Sequence, residues 1–156
     1  MRRLSGVLLA GALMLLPAAF SPGHGGVHAQ APAALTFDGD TALMTITIKP
    51  DKTAAFEQIM GKVREALMKS EKPERKQQAA GWRVVKSAIP MKDGNIIYMH
   101  VISPVVKGAD YSILPILYEA NTDPMEQRKL FEQYRDAFAA NLGNGSYSTV
   151  VDLSKQ

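Results

Sequence analysis

A small set of polar and aromatic side chains on predicted strands has the widest scope for chemistry in this chain. An imidazole can act as a general base, an indole can stack on a flat ligand, and hydroxyl groups can hydrogen-bond a small molecule. If such groups meet in one apolar cavity, they form a binding site for a small apolar or aromatic ligand. The candidates are Thr45, Thr47, Trp82, Tyr98 and His100.

The aromatic candidates also have a purely structural interpretation. His100 shares a predicted strand face with Ile96, Tyr98 and Ile102. A packed, hydrogen-bonded histidine is the more common outcome for an imidazole in that setting. Trp82 opens its strand, where an indole more often covers the core than binds a ligand. Replacing His100 with alanine separates its two interpretations, because a cleft histidine would lose ligand binding and keep its fold.

The composition gives little support to metal, thiol or cofactor chemistry. The chain has no Cys and three His, of which His24 and His28 fall in the predicted export signal. One imidazole without thiolates cannot build a typical zinc or copper site, and thiol catalysis and iron–sulfur ligation are excluded. The sequence therefore predicts no metal and no cofactor, assigns no catalytic residue, and leaves open whether the protein is an enzyme.

The N-terminal residues have the pattern of a secretory signal. Two arginines precede an apolar run over residues 7–19, and a small-residue cleavage site ends at Ala29, with Ala31 as the alternative. The apolar run is shorter than the roughly 20 residues of a membrane span, which favours a cleaved signal over a retained anchor. We predict a signal peptide over 1–29, a flexible tether over 30–40 and one domain over 41–156. The protein is expected to be periplasmic or secreted.

Export also changes the charge of the chain. The full chain has 18 basic and 15 acidic residues, a formal net charge of +3. Arg2 and Arg3 leave with the signal, so the processed chain has 16 basic residues against 15 acidic ones, a net charge of +1. A nearly neutral domain has no general attraction to nucleic acid or to anionic membranes. We therefore predict no nucleic-acid partner and, after processing, no membrane span.

Period-two alternation predicts the first three strands. Over residues 42–49 an apolar trio (Met44, Ile46 and Ile48) alternates with threonines, which places the trio against helices. Residues 82–89 and 95–102 flank Asp93-Gly94, a strong hairpin signal. The second strand of this hairpin is apolar on both faces. A partner subunit is therefore expected to cover the face that helices leave open.

Helical spacing and capping residues predict the first helix. Its apolar stripe runs over residues 56–67, and Asp51 is the expected N-cap. Further along the chain, Asp110 is a candidate cap for a short helix that contains Pro115. Because proline in a helix interior costs about 3 kcal/mol, this helix is expected to start late or to bend.

The last helix is marked at both predicted ends. Asp123 is the expected N-cap and Pro124 the first helical residue. Gly143 is the predicted stop, since glycine commonly follows a helix C-terminus. A turn then leads into a final strand predicted over 147–153.

Together these elements predict an α+β fold in the order βαββαβ with an antiparallel sheet. That order, the Asp93-Gly94 hairpin and the third strand that is apolar on both faces resemble the dimeric α/β-barrel superfamily. This superfamily includes cofactor-free monooxygenases of the antibiotic-biosynthesis type, haem-degrading enzymes and stress-responsive proteins. The resemblance covers about residues 41–154. It implies a ferredoxin-like sandwich whose open sheet face pairs with a second copy to form a barrel.

The resemblance does not transfer one activity of that superfamily. Its haem-degrading members use an Asn, a Trp and a His together. Trp82 and His100 both lie on predicted strands, but the sequence places no Asn beside them. Because one scaffold hosts many activities, haem degradation is not assigned to this chain.

Two functions from different classes are consistent with the sequence. The first is an exported, homodimeric ligand-binding or interaction module without catalysis, which the absence of a catalytic constellation favours. The second is a cofactor-independent, monooxygenase-like oxidoreductase acting on a small aromatic substrate. Convergence of Thr45, Thr47, Tyr98 and His100 on a pocket would favour the enzyme, and solid packing of these side chains would disfavour it.

Overall fold

The strands of the computed structural model, which describes residues 33–153, form a four-stranded antiparallel sheet. Its order is β2-β3-β1-β4, and each neighbouring pair is antiparallel. The predicted α+β class is therefore confirmed, and the arrangement is compatible with a ferredoxin-like fold. The strands are β1 (Thr41–Ile48), β2 (Trp82–Lys86), β3 (Ile96–Ile102) and β4 (Phe138–Tyr147).

Four α-helices accompany this sheet in the described residues. They are α1 (Thr53–Lys69), α2 (Pro73–Gly81), α3 (Ile113–Ala120) and α4 (Pro124–Ala137). The prediction that Asp51 caps α1 is wrong. Asp51 lies in a short 3₁₀ turn over Pro50–Lys52, and Lys52 occupies the N-cap position of α1 without a side-chain cap. The fixed φ of Pro50 suits this extra turn, which delays the start of α1.

The hairpin between β2 and β3 turns at the predicted residues. Gly94 has a φ of +84°, and its N–H donates to the Met91 carbonyl at 2.9 Å. However, β2 ends at Lys86 rather than at residue 89. The Ser87 N–H still donates to the Ile97 carbonyl at 2.8 Å, and the Ser87 hydroxyl donates to the Ile89 carbonyl at 2.7 Å, which turns the chain locally.

The short helix α3 starts late, as Pro115 led us to expect. Pro115 is its third residue, where the missing N–H would have had no helical partner. Asp110 does not cap α3, because Ser112 occupies the N-cap position. Instead, Asp110 Oδ1 accepts from the backbone N–H of Leu35 and of Ser112, both at 2.9 Å.

The start of α4 was predicted correctly and its end was not. Asp123 Oδ1 accepts from the Met125 N–H at 2.9 Å, as an N-cap should. The helix ends at Ala137 rather than near Gly143, and β4 follows at once. The predicted final strand over 147–153 is also wrong, since Tyr147 is the last residue of β4. Pairing of β4 with β1 overrides the helical spacing that Phe138 continues from α4.

The sheet has a helix-covered face and an open face. The register pairs Met44 with His100 and Ile46 with Tyr98, so these side chains share the helix-covered face. The predicted burial of the apolar trio of β1 is confirmed, because all three side chains are buried in the core. The residues between them on the strands form the open face, which consists of Leu43, Thr45, Thr47, Arg83, Val85, Ile97, Met99 and Val101.

Part of the segment predicted as a tether contacts the domain. Phe37 is 4% exposed and packs with Tyr111 in a core cluster. The backbone N–H of Tyr111 also donates to the Leu35 carbonyl at 2.9 Å. Residues 33–40 therefore contribute to the core and not only to a link, whereas the predicted signal peptide lies outside the described residues.

Within residues 33–153, no helix combines the length and the apolar character needed to cross a membrane.

Candidate functional site

A cleft of about 370 Å³ lies between the helix-covered face of the sheet and helices α3 and α4. Buried side chains of β1 and β3 form its floor, namely Met44, Ile46 and His100. Aromatic side chains line much of the rest: Tyr111, Phe131, Tyr134 and Phe138. Exposed polar side chains lie at its mouth: Arg135, Asn141 and Asn144. The cleft thus combines an apolar interior with a few polar groups, which is typical of small-molecule sites.

His100 is the buried polar group on the floor of this cleft. Its side chain is 1% exposed, and its Nδ1 accepts a hydrogen bond from Trp82 Nε1–H at 3.1 Å. Its Nε2 has no partner in the part of the chain that the structure describes. Burial lowers the pKa of His100 from 6.5 to about 4, so the ring is neutral at pH 7.

An unpartnered nitrogen at this depth is unusual in a folded protein. Buried polar groups almost always have a hydrogen-bond partner, and each exception calls for an explanation. Leaving such a group unpaired costs about 1–3 kcal/mol. A ligand atom that bonds Nε2 within the cleft would recover that energy.

Trp82 and Tyr98 differ in their relation to the cleft. Trp82 lies beside His100, with ring centroids 5.7 Å apart, and supports it from the side of β2. Tyr98 is buried on the same sheet face, but its hydroxyl donates to Glu57 Oε1 of α1 at 2.6 Å. Lys86 Nζ donates to the same oxygen at 2.9 Å. Tyr98 therefore joins α1 to the sheet, away from the cleft lining.

The ionisable groups around Tyr98 are mutually stabilised. Hydrogen bonds from Tyr98 and then from Lys86 lower the pKa of Glu57. Burial raises the pKa of Tyr98, and the hydrogen bond to Glu57 raises the pKa of Lys86. All three groups thus keep their ordinary charge states at neutral pH.

The two threonine candidates lie on the open face, so the sheet separates them from His100. Thr45 is half-buried there. Thr47 is only 2% exposed, and its hydroxyl donates to the Ala140 carbonyl of β4 at 3.4 Å. Of the five candidates, only His100 lines the cleft, and Trp82 contacts His100 without lining it. The five side chains do not converge on one pocket, and ligand binding at these positions stays a prediction.

The analysis of the sequence missed the residues that α4 and β4 contribute to the cleft. Tyr134 and Phe138 were assigned to a continuous helical stripe, and no Asn could be placed near His100. In the structure, Asn144 is opposite Met44 and Asn141 is opposite Ile46. The local sequence offers no signal against a helix over residues 138–142, because Gly143 and Gly145 lie where the predicted helix has already ended.

Irregular pairing of β4 brings both asparagines to the same face. Residues three apart in a regular strand point to opposite faces. The register with β1 shifts between Thr45 and Ile46, so that Leu142 is an extra residue. Gly143, beside this bulge, has a φ of +120°, a conformation that other residues rarely adopt.

A larger groove of about 720 Å³ runs between α1 and the α2 and α3 segments, but its buried cation is already paired. Arg75 is 6% exposed and holds Glu119 with Nη2 at 2.6 Å and Nε at 3.2 Å. Its Nη1 donates to the Asp110 carbonyl at 2.7 Å and to Gln78 at 2.8 Å. This network ties α2 to α3 and leaves the smaller His100 cleft as the better candidate site.

Among the described residues, no three His, Cys, Asp or Glu side chains form a group that could hold a metal ion. Comparisons of the chain with protein-family models, with curated proteins and with solved structures found no match. The functional interpretation therefore depends on the geometry of the cleft.

Proposed function

We propose that this protein is a small exported ligand-binding module whose binding site is the cleft above His100. The observation that carries the proposal is Nε2 of His100, which has no hydrogen-bond partner among the described residues although the side chain is only 1% exposed. A ligand would complete the hydrogen bonding of this nitrogen and would cover the aromatic walls of the cleft. Both effects favour the bound state.

The dimensions and lining of the cleft indicate a small apolar or aromatic ligand. A volume of about 370 Å³ lies at the lower end of the range for small-molecule sites. Aromatic rings attract flat apolar bodies through offset and edge-to-face contacts. The polar groups at the mouth can hydrogen-bond a polar substituent on the side of the ligand that faces solvent.

Native mass spectrometry of the exported, processed protein is the first test. We expect a defined small molecule to accompany the protein, or else cleft resonances to shift in NMR titrations with small aromatic compounds. Leu114→Trp places a large side chain at the cleft lining and should abolish binding. Ile89→Trp adds the same side chain to a loop residue that is 77% exposed, and serves as the matched control. Equal binding by both variants would refute the cleft as the site.

A second copy of the chain is our proposal for the partner that covers the open face. The core clusters of the described residues contain no side chain from this face, although five of its members are aliphatic or Met. Val85 is 49% exposed at its edge. Beyond β4, Val150 and Leu153 are also apolar and more than 90% exposed. The strand order and this face support the finer proposal of a ferredoxin-like sandwich that dimerises as an α/β barrel.

The oligomeric state tests the dimer. Val85→Lys introduces a charge on the open face and should convert a dimer to a monomer in light-scattering measurements. Met125→Lys introduces the same charge at a position of α4 that is 81% exposed, and should leave the dimer intact. A monomeric wild-type protein at micromolar concentration would reject this partner without affecting the cleft proposal.

The neutral imidazole in the cleft keeps a second candidate function open to test, although Thr45, Thr47 and Tyr98 do not converge on the cleft with His100. A donor group fixed in a dry, aromatic site stabilises an oxygen that gains negative charge during a reaction. This is what a cofactor-independent, monooxygenase-like oxidoreductase would require, with O₂ as the oxidant and a small aromatic substrate as the source of electrons. Oxygen consumption with several aromatic quinols tests this candidate, and no turnover above that of His100→Phe would reject it.

A further inference from the structure

The hydrogen bond between Trp82 and His100 has a direction that follows from its chemistry. An indole nitrogen carries a hydrogen and only donates, so Nδ1 of His100 must supply the lone pair at 3.1 Å. A neutral imidazole carries one proton on its two nitrogens. With Nδ1 as acceptor, that proton lies on Nε2, and the nitrogen left without a partner is a donor.

The direction of this hydrogen bond is opposite to the one found at histidines that bind metals. A metal-binding imidazole usually donates a hydrogen from its second nitrogen to a carboxylate, a carbonyl or water, which leaves a lone pair for the metal. Here the second nitrogen accepts a hydrogen instead. In this tautomer Nε2 has no lone pair to offer.

Packing holds the indole in the position that enforces this tautomer. The rings of Trp82 and Tyr111 meet edge-to-face with centroids 5.3 Å apart. Tyr111 is fully buried, and its hydroxyl accepts from the Val106 N–H at 2.8 Å. Trp82 also packs against two separate core clusters. The indole is thus supported on several sides and cannot turn away from His100 without losing these contacts.

We infer that Trp82 fixes His100 as a hydrogen-bond donor to the cleft, and that the ligand presents a neutral carbonyl-type oxygen to Nε2. The inference rests on the proposed function, because it concerns the ligand of the same cleft. A neutral oxygen fits better than a carboxylate, since an anion buried among apolar side chains needs a cationic partner. Arg135, the cation among the cleft residues, is exposed and lies at the mouth.

The first experiment measures the tautomer in the ligand-free protein. Long-range ¹H–¹⁵N correlation spectra distinguish a protonated ring nitrogen from one with a lone pair. At pH 7 we expect His100 to have its proton on Nε2 in the wild-type protein. Trp82→Phe removes the donor and should give a mixture of tautomers. Tyr134→Phe, which alters another aromatic residue of the cleft, should leave the wild-type tautomer unchanged.

The second experiment compares two probes of nearly equal shape, 2-acetylnaphthalene and 2-ethylnaphthalene. The first carries a carbonyl oxygen and the second does not. We expect the ketone to bind wild-type protein about tenfold more tightly than the hydrocarbon, which corresponds to about 1.4 kcal/mol. In His100→Phe the two affinities should become equal. His100→Gln retains an amide donor and should keep part of the preference, which separates loss of the donor from general damage.

Each outcome bears on a different step. A proton on Nδ1 in the wild-type protein would overturn the role of Trp82, whatever binds. A proton on Nε2 without any preference for the ketone would overturn the ligand class. Failure of both naphthalenes to bind, with the proton on Nε2, would count against the proposed function and leave the role of Trp82 standing.

Discussion

Tyr98 and His100 lie two residues apart on β3, on the same sheet face, and their surroundings differ. Both are almost fully buried, at 2% and 1% exposure, and both contact the ring of Phe56. The Tyr98 hydroxyl has an acceptor at 2.6 Å in Glu57. Within residues 33–153, Nε2 of His100 has no hydrogen-bond partner, and His100 lines the cleft.

The difference shows which of two similar residues is suited to a ligand. A buried polar group whose hydrogen bonds are complete contributes to stability and gains nothing from a ligand. A buried group with an open position is stabilised by binding instead. The sequence presents Tyr98 and His100 as equivalent, because both lie in one alternating apolar strand. Their partners come from α1 and β2, which are distant in the chain.

Acidification should break this comparison most strongly, because it charges His100 and leaves Tyr98 unchanged. The folded-state pKa of about 4 lies below the ordinary 6.5, so the unfolded chain binds the proton more readily. Stability is therefore complete above pH 6.5 and is lost as the pH falls toward 4. From pH 7.5 to pH 5 we expect the free energy of unfolding to fall by about 2 kcal/mol on account of His100. Urea titrations at the two pH values measure this change.

The variant His100→Phe isolates the contribution of the imidazole. It should remove most of the pH dependence in this range. Tyr111 and Tyr134, which line the same cleft, have raised pKa values and stay neutral throughout. Wild-type and variant proteins with the same slope would show that His100 is not held neutral in the folded state.

Removing each polar group in turn should sharpen the comparison at constant pH. Tyr98→Phe deletes the hydroxyl that bonds Glu57, and should lower the free energy of unfolding by about 1–2 kcal/mol at pH 7. It should leave ligand binding unchanged. His100→Phe should change stability by less than about 1 kcal/mol and reduce binding, because the group it removes has one open position. Chemical denaturation combined with binding of 2-acetylnaphthalene distinguishes the two patterns, and a reversed pattern would contradict the assignment of roles.

The smallest effect is expected at the exposed member of the Tyr98 cluster. Lys86 and Glu57 form an ion pair at 2.9 Å with both side chains about half exposed. Lys86→Met should therefore lower the free energy of unfolding less than Tyr98→Phe does, and less again at high salt. Lys92→Met, in the exposed β2–β3 loop, is the matched control. A loss of stability as large as that of Tyr98→Phe would mean that Lys86 matters more to the cluster than its exposure indicates.

The parts of the fold that could be predicted from the sequence depend on local signals. Alternation in β1 and β3, the Asp93-Gly94 turn and the cap formed by Asp123 each act over a few residues, and the structure has all of them. Pro115 likewise set the late start of α3. In each case the neighbouring residues alone restrict the backbone.

The parts that failed depend on pairing between distant residues. Phe138 continues the helical spacing of α4, yet it pairs with Ile48 in the sheet. With β4 misassigned, the asparagines of the cleft could not be found. The same limit applies to His100. The hydrogen bond to its Nδ1 comes from Trp82 of β2, and its place in the cleft depends on how α3 and α4 pack over the sheet.

The bulge at Leu142 makes the number of residues in β4 as important as their identity. One inserted residue moves each later side chain of the strand to the opposite face of the sheet. A substitution at Asn144 changes one group at the mouth of the cleft. Deleting Leu142 would instead exchange the two sides of the strand beyond it and turn Asn144 away from His100. Length variation within these ten residues would therefore change which side chains line the cleft while the scaffold stays the same.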